Sequence, residues 1–592
     1  MIQIAQWKRS IAMLVLLPAV SAASVRAASI PQPDDRLPEA AKRGDKSAVE
    51  ALLRSGVPVD SAEGDGSTAL HWAAYEDNLA LAQVLLNAHA NVKATTRVGA
   101  LMPLFMACQN GSAKMIELLL EHGAEPNGTN ALGTTPLMIA SASGSVDAVK
   151  MLLDHGADAN VREHTRNQTA LMFAANLDRG DVVRVLIAGG ADPGLASNVV
   201  NAPKLSRAAN QAVVAAAGIK SAKVKEGSDE NSSKGKEPST EGGQPTRKSE
   251  DAKVSVAGAA ASVADDDAAK KVLRDHGAKM MGGMTPLLYA ARQGSISAAL
   301  ALLDGGAKID QVSGSEHTTP LVLAISNGHL DFAKMLIDHG ANVNLANDMG
   351  VTALFATIDV KWVPHEWSPE PIVDQEKTNY LVLMKLLIDH GANLNARLGK
   401  QPWSRTMSEN RNWSDPAGAT AFFRAAQADD VKAMRLLKEA GADTNITSTI
   451  GTTPLMVAAG LGWAANYSTT APTRLEAIEY CMSLGADVNA HDDLGYTALH
   501  GAAFVGDLGN IRYLVDHGAK IDAKTKAGDT VADAANGLFE KSLPNPDVVA
   551  LLEKMGSLNS HNCRSSDCVP PVKEDKKPTV VAAAADAKKV AE

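Results

Sequence analysis

Aromatic residues are scarce in this chain: 4% of 592 residues, in a sequence that is 45% hydrophobic. So few large rings argue against one thick core, and 592 residues are too many for one, so several domains or an open-ended array is expected. Positive charge is also short. The formal net charge is −10 and no concentrated Lys/Arg stripe is visible, which argues against a nucleic-acid surface. No GxSxG elbow, Walker loop, GxGxxG or HExxH occurs in a recognisable context, so no catalytic, cofactor or metal set is assigned.

Long apolar runs are missing as well. IAMLVLLPAV at 11–20 is the main one, and about ten residues cannot cross a hydrocarbon core that needs roughly 20. It follows Lys8 and Arg9 and precedes the small residues SAASVRAAS, the charged, apolar and cleavage regions of a signal peptide in order. Residues 1–27 are therefore expected to be a Sec-type leader, cut after Ala22 or Ala27. The mature chain would be periplasmic or secreted, with no membrane span, and cutting after Ala27 removes Lys8, Arg9 and Arg26 and takes the charge from −10 to −13.

What is present is rhythm. GTTPLMIASASGSVDAVKMLLDHGADANV at 133–161 returns as TTPLVLAISNGHLDFAKMLIDHGANVNLA at 318–346 and as GYTALHGAAFVGDLGNIRYLVDHGAKIDA at 495–523. Where units adjoin without insertion, the step is 33 or 34 residues, and a Gly, or once His89, falls 21 residues after the Thr, or once Met102, that opens the unit. In one unit, Thr135 is placed to cap a helix that Pro136 starts. Leu137, Ala140 and Ser141 give that helix an apolar face, and Gly144 ends it. Val146, Val149, Leu152 and Leu153 line a second helix that Gly156 stops, and a polar finger leads on. So small a unit cannot bury its own face, so neighbours must stack. The motif resembles the ankyrin repeat, with its TPLHxA signature in a 33-residue helix–turn–helix unit: TALH stands at 68–71 and 497–500, HGADAN at 155–160. The resemblance spans about Asp35 to Ser557 and implies an all-α ankyrin-repeat solenoid of about 12 repeats, terminal caps included.

The rhythm breaks in four places. Between arrays at 35–198 and 282–557 lies 199–281, whose middle, 220–256, has almost no apolar residues and is expected to be disordered. Because His276-Gly277-Ala278 restores a helix-2 ending, this segment reads either as one degenerate repeat split by a loop or as a plain linker. The other three breaks are insertions, at 360–378, 398–417 and 461–473. They hold Trp362, Trp367, Trp403, Trp413 and Trp463; the remaining tryptophan beyond the leader, Trp72, follows TALH on a first helix. Two readings stay open. The rings fold the insertions as small anchors, or they recognise a partner, since function concentrates on loops held by a rigid scaffold.

The histidines have ordinary places. The resemblance puts His71 and His500 in the slot whose ring braces the finger. His122, His155, His276, His339, His390 and His517 precede a Gly at second-helix ends, where a cation suits the dipole. Cys108 and Cys481 fall in helices and are expected to be buried. Cys563 and Cys568 lie past the last repeat in a tail, 558–592, expected to be disordered; an oxidising compartment makes them a disulfide candidate. The resemblance implies a non-enzymatic scaffold with a protein partner, held by the concave face around Trp72 and by the tryptophan loops. The alternative is a binding protein or enzyme of the cell envelope in which Trp-rich insertions form a cleft for a small or cationic ligand, with Glu366, Glu370, Asp374 and Glu376 beside the rings.

Overall fold

The computed structural model describes residues 34–201, 280–362, 373–400, 415–462, 470, 472–537, 543–564 and 568–571. The leader at 1–27, the loop at 220–256, and Trp367, Trp403, Trp413 and Trp463 lie outside the described residues. Two compact units emerge, residues 1–125 and 126–592. No described helix is long and apolar enough to cross a membrane.

The first unit holds α1 (Arg36–Lys42), α2 (Lys46–Arg54), α3 (Ala69–Tyr75), α4 (Leu79–Asn87), α5 (Pro103–Asn110) and α6 (Ala113–Glu121). First helices α1, α3 and α5 pack side by side, and so do second helices α2, α4 and α6.

The second unit opens with the unit predicted above. Thr135 accepts a hydrogen bond from the Met138 N–H at 3.3 Å, and α7 (Pro136–Ser143) runs to Gly144 at φ +87°. Ser145 caps α8 (Val146–Asp154) through the Ala148 N–H. Ala148, Val149 and Leu152 are its buried residues, whereas Val146 and Leu153 are half-buried. Pro136, Leu137, Met138, Ala140 and Ser141 are all buried in α7, so the first helix shows no narrow stripe. It is covered by its own second helix and by neighbouring first helices, and a helix covered on several sides is apolar on several sides.

The pattern continues through α9 (Ala170–Asn176), α10 (Gly180–Ala188), α11 (Pro286–Gln293), α12 (Ile296–Asp304), α13 (Pro320–Ser326) and α14 (Leu330–Asp338). It goes on through α15 (Ala353–Lys361), α16 (Tyr380–Asp389), α17 (Ala421–Gln427), α18 (Val431–Glu439), α19 (Pro454–Ala458) and α20 (Arg474–Ser483). α21 (Ala498–Val505), α22 (Leu508–Asp516), α23 (Val531–Ala535) and α24 (Pro546–Met555) complete it. From α7 to α23 each first helix packs on the next first helix. Asparagines in the fingers stitch neighbouring units. Asn160 donates to the Gly190 carbonyl and accepts from the Asp192 N–H, both at 2.9 Å, and Asn127, Asn344 and Asn489 make the same pair of bonds one unit on.

Packing bears on two regions of the sequence reading. α9 and α10 pack directly on α11 and α12, and β1 (Val199–Asn201) pairs antiparallel with β2 (Met280–Gly282) in the finger between them. A repeat divided across 199–281 would have stood between these pairs. Each pair already presents complementary apolar faces, so they bury each other without it. The second region is the tail. Residues 558–564 and 568–571 lie against the last unit because Asp529, Asp533 and Asn536 are fully buried there and need partners. Ser560 donates its hydroxyl to Asp533 at 2.5 Å, Asn562 its amide to Asp529 at 2.7 Å, and the Val569 N–H donates to Asn536 at 2.6 Å. Cys563 and Cys568, their Cα atoms 6.2 Å apart, form a disulfide within this strap.

Candidate functional site

Among the described residues the sequence candidates fall in two places. In the first unit Trp72 sits half-buried on α3, with the Lys42 ammonium 4.5 Å above its ring and the exposed Tyr75 ring edge-on at 5.9 Å. Its indole N–H is buried with no partner among the described residues. His71, one residue earlier, links the Thr68 cap to the Leu101 carbonyl, with Nδ1 2.8 Å from the Thr68 hydroxyl and Nε2 2.9 Å from the carbonyl. Burial lowers its pKa and keeps the ring neutral. The ring braces the next finger, the role the resemblance implied. The helix-end histidines are equally structural: His155, for example, donates from Nδ1 to the Met151 carbonyl at 2.8 Å. No described group of His, Cys, Asp and Glu has metal-binding geometry.

In the second unit the stretch that interrupts α15 and α16 is clasped at both ends. At its start, Trp362 is half-buried and its indole N–H donates to Asp430 Oδ2 at 2.8 Å. The Tyr380 hydroxyl donates to the same oxygen, also at 2.8 Å, while Asp430 Oδ1 caps α18 through the Ala433 N–H. Arg424, on α17, donates from Nε to Asp359 at 2.7 Å and from Nη2 to the Trp362 carbonyl at 2.7 Å. Burial pulls its guanidinium down to about 9, against the Asp430 and Asp429 carboxylates, which leaves it charged at neutral pH. Asp429 takes the left-handed turn at φ +56° and accepts Arg474 Nε at 3.0 Å. Burial pushes its carboxyl up to about 7, and Arg474 opposes the shift. Its Oδ1 is buried with no partner among the described residues.

At its other end, the Asp331 N–H at the start of α14 donates to Glu376 at 2.9 Å, and Asp331 accepts the Thr378 N–H and hydroxyl at 2.8 and 2.7 Å. Glu376, proposed above as a ligand for a cation, is spent on a helix start. Trp362 is tied down, and the tertiary contacts around it are those of an anchor. The cluster joins three successive units at the edge where first helix turns to second.

Sequence reasoning missed Arg424 and the pair Asp429-Asp430. The signal was there: a charged residue at the fourth position after the capping Thr, where other units carry Ile139, Phe173 or Leu323, and an Asp where other units carry Gly144 or Gly294. A separate cleft of about 300 Å3 lies under a finger, lined by Phe422, Asn445, Leu455, Cys481 and Asp487 among others. No described tryptophan borders it, and burial pushes the Cys481 thiol up to about 12, well away from a reactive thiolate.

On the first helices the register that holds Trp72 is continued in the second unit. Ile139, Phe173 and Leu323 occupy it on α7, α9 and α13, each half-buried rather than covered. The family model described as ankyrin repeats (3 copies) matches residues 37–130, 104–197, 256–347, 311–358 and 422–525, more than half of the chain. The chain is similar to ankyrin repeat and SOCS box protein 11 of Danio rerio, 42% identical over 97 residues, 16% of this chain and 32% of that one. It is 34% identical over 154 residues to human ankyrin repeat and SOCS box protein 6, 25% of this chain and 30% of that one. A transient receptor potential channel homologue, subfamily A member 1, of Caenorhabditis elegans is 27% identical over 175 residues, 26% and 13% of the two chains. The chain thus spans about a third or less of the length of these relatives.

Proposed function

The chain belongs to the ankyrin-repeat family, and from that premise we propose that it is an exported, non-enzymatic scaffold that holds a protein partner on its first helices. Ankyrin repeats generally mediate protein–protein interaction. The observation that supports the reading here is the recurrence of Ile139, Phe173 and Leu323 at one register of α7, α9 and α13, each left half-exposed, with Tyr289 at that register of α11 buried between them. Scattered apolar residues on a surface need no explanation, but an ordered row is what a binding face offers. Trp72 and its Lys42 and Tyr75 neighbours supply a comparable aromatic face in the first unit. The leader supports export to the periplasm or the exterior.

Two measurements test this. A photo-crosslinking amino acid at Phe173 is expected to give a discrete partner adduct in cells that is absent when it replaces the exposed outer-helix residue Lys150. Identical products at both positions, or none at Phe173, would remove the reading. N-terminal sequencing of the protein recovered from periplasm or medium is expected to begin at Ala23 or Ala28; an intact Met1 there would remove the cleaved leader.

A further inference from the structure

One arginine on the same row of helices is treated unlike the others. Arg292, on α11, lies with its guanidinium carbon 5.0 Å from the centre of the Tyr289 ring. Nη2 donates to Asn176 of the preceding unit at 3.1 Å, and Nη1 approaches the Met284 sulfur at 3.9 Å. Its Nε is buried and makes no hydrogen bond among the described residues. No described carboxylate forms an ion pair with it; burial lowers its pKa, Tyr289 opposes that shift, and the exposed Arg166 of the neighbouring finger adds to it.

Arg424 shows what this chain does with a buried arginine that serves only the fold: Asp359 takes its Nε at 2.7 Å, and Asp430 and Asp429 stand by. Arg292 is half-buried, so its charge is partly stripped of water without compensation, in a protein whose net charge is −10 and which has carboxylates to spare. Phe173, half-buried one unit before, and Leu323, half-buried one unit after, flank it on α9 and α13. Nη1 and Nη2 each carry a second hydrogen beyond these contacts, and a planar guanidinium matches a carboxylate in geometry as well as charge.

We propose that the partner segment bound by these helices is an acidic peptide: a Glu or Asp carboxylate on Arg292, assisted by Arg166, with apolar neighbours against Phe173 and Leu323. The inference rests on the scaffold reading above and names the chemistry of its partner. An acidic segment gains from the low local dielectric on its bonds to the guanidinium, while a basic one meets two like charges.

The test uses the full chain as bait for a random peptide library displayed on phage, followed by anisotropy titrations of the enriched peptides. Enriched peptides are expected to carry Asp or Glu beside an apolar residue. Arg292→Gln should weaken them roughly tenfold, as loss of a charged hydrogen-bonded partner does, and Arg292→Lys less. Arg166→Gln, at an exposed position that the fold does not need, should weaken them too and steepen the contrast at low salt. Replacing the peptide's Glu by Gln should erase the difference between wild type and Arg292→Gln. If Phe173→Ala weakens binding while Arg292→Gln and Arg166→Gln do not, the acidic-partner inference is overturned and the scaffold reading stands. If no peptide is enriched, or none responds to any of the three substitutions, both are overturned.

Discussion

Within the second unit the same helix pair is used in two ways. From α7 to α14 the first helices leave Ile139, Phe173 and Leu323 half-exposed, Tyr289 on α11 alone at that register being buried, and carry an arginine, Arg292, that pairs with no described carboxylate. From α15 to α20 the equivalent positions hold Ala356, Arg424 and Val457, all buried, and a network of two arginines, three aspartates, Trp362 and Tyr380 ties the units at one edge. The repeat frame is common to both, so the difference comes from a few substitutions at fixed register. The first region spends its inner surface on display, the second on holding interruptions in place.

The largest effect that would break this contrast is at Arg424. Arg424→Met takes a hydrogen bond from Asp359 and one from the Trp362 carbonyl, and removing one partner of a buried pair typically costs about 3 kcal/mol or more. Hydrogen exchange should show the loss concentrated in α15–α20, with α7–α12 protected as before, because a solenoid transmits stability mainly between neighbours. Uniform loss along the unit would mean the network is no local clasp.

Asp430→Ala comes next, at about 2 kcal/mol, since it removes the α18 cap and the acceptor of Trp362 and Tyr380 together. A red shift of tryptophan emission should accompany the lower denaturation midpoint. An unshifted spectrum would place Trp362 outside the clasp's control.

Asp429 sharpens the comparison through pH. Its folded carboxyl lies at about 7, raised by burial well above the ordinary aspartate range. The unfolded chain therefore releases this proton first. The stability that Asp429 supports is present below about pH 4 and is lost as pH rises toward 7. Asp429→Asn removes that dependence, so urea midpoints of variant and wild type should diverge in the variant's favour through this window. Parallel midpoints from pH 4 to 8 would show the carboxyl titrating normally.

Phe173→Ser is expected to be the mildest for folding, within about 1 kcal/mol, because the ring is half-exposed already. The same substitution should abolish the crosslinked or peptide-bound complex. A large stability loss would make Phe173 a core residue instead.

Much of this was readable in advance. The Thr-Pro start, the Gly stops and the 33-residue step follow from backbone chemistry that acts within one unit, which is why α7 and α8 run where Thr135, Pro136, Gly144 and Gly156 place them. The clasp was not readable, although its residues were in plain sight. Trp362, Tyr380, Arg424, Asp430 and Arg474 belong to different units, and their meeting depends on stacking. The strap was misjudged for a related reason. SLNSHNCRSSDC is polar, and polar composition alone reads as solvated chain; its order comes from buried partners, Asp529, Asp533 and Asn536, that belong to the last repeat.

The sequence by itself determined that this protein is a stack of helix pairs, because caps, stops and apolar spacing act over a few residues and repeat. It also marked where the stack is interrupted. Tertiary structure alone decided which arginines meet a described carboxylate and which do not. Arg424 and Arg292 lie four and seven residues after the capping Thr of equivalent helices, and stacking brings Asp359 to the first and Asn176 to the second.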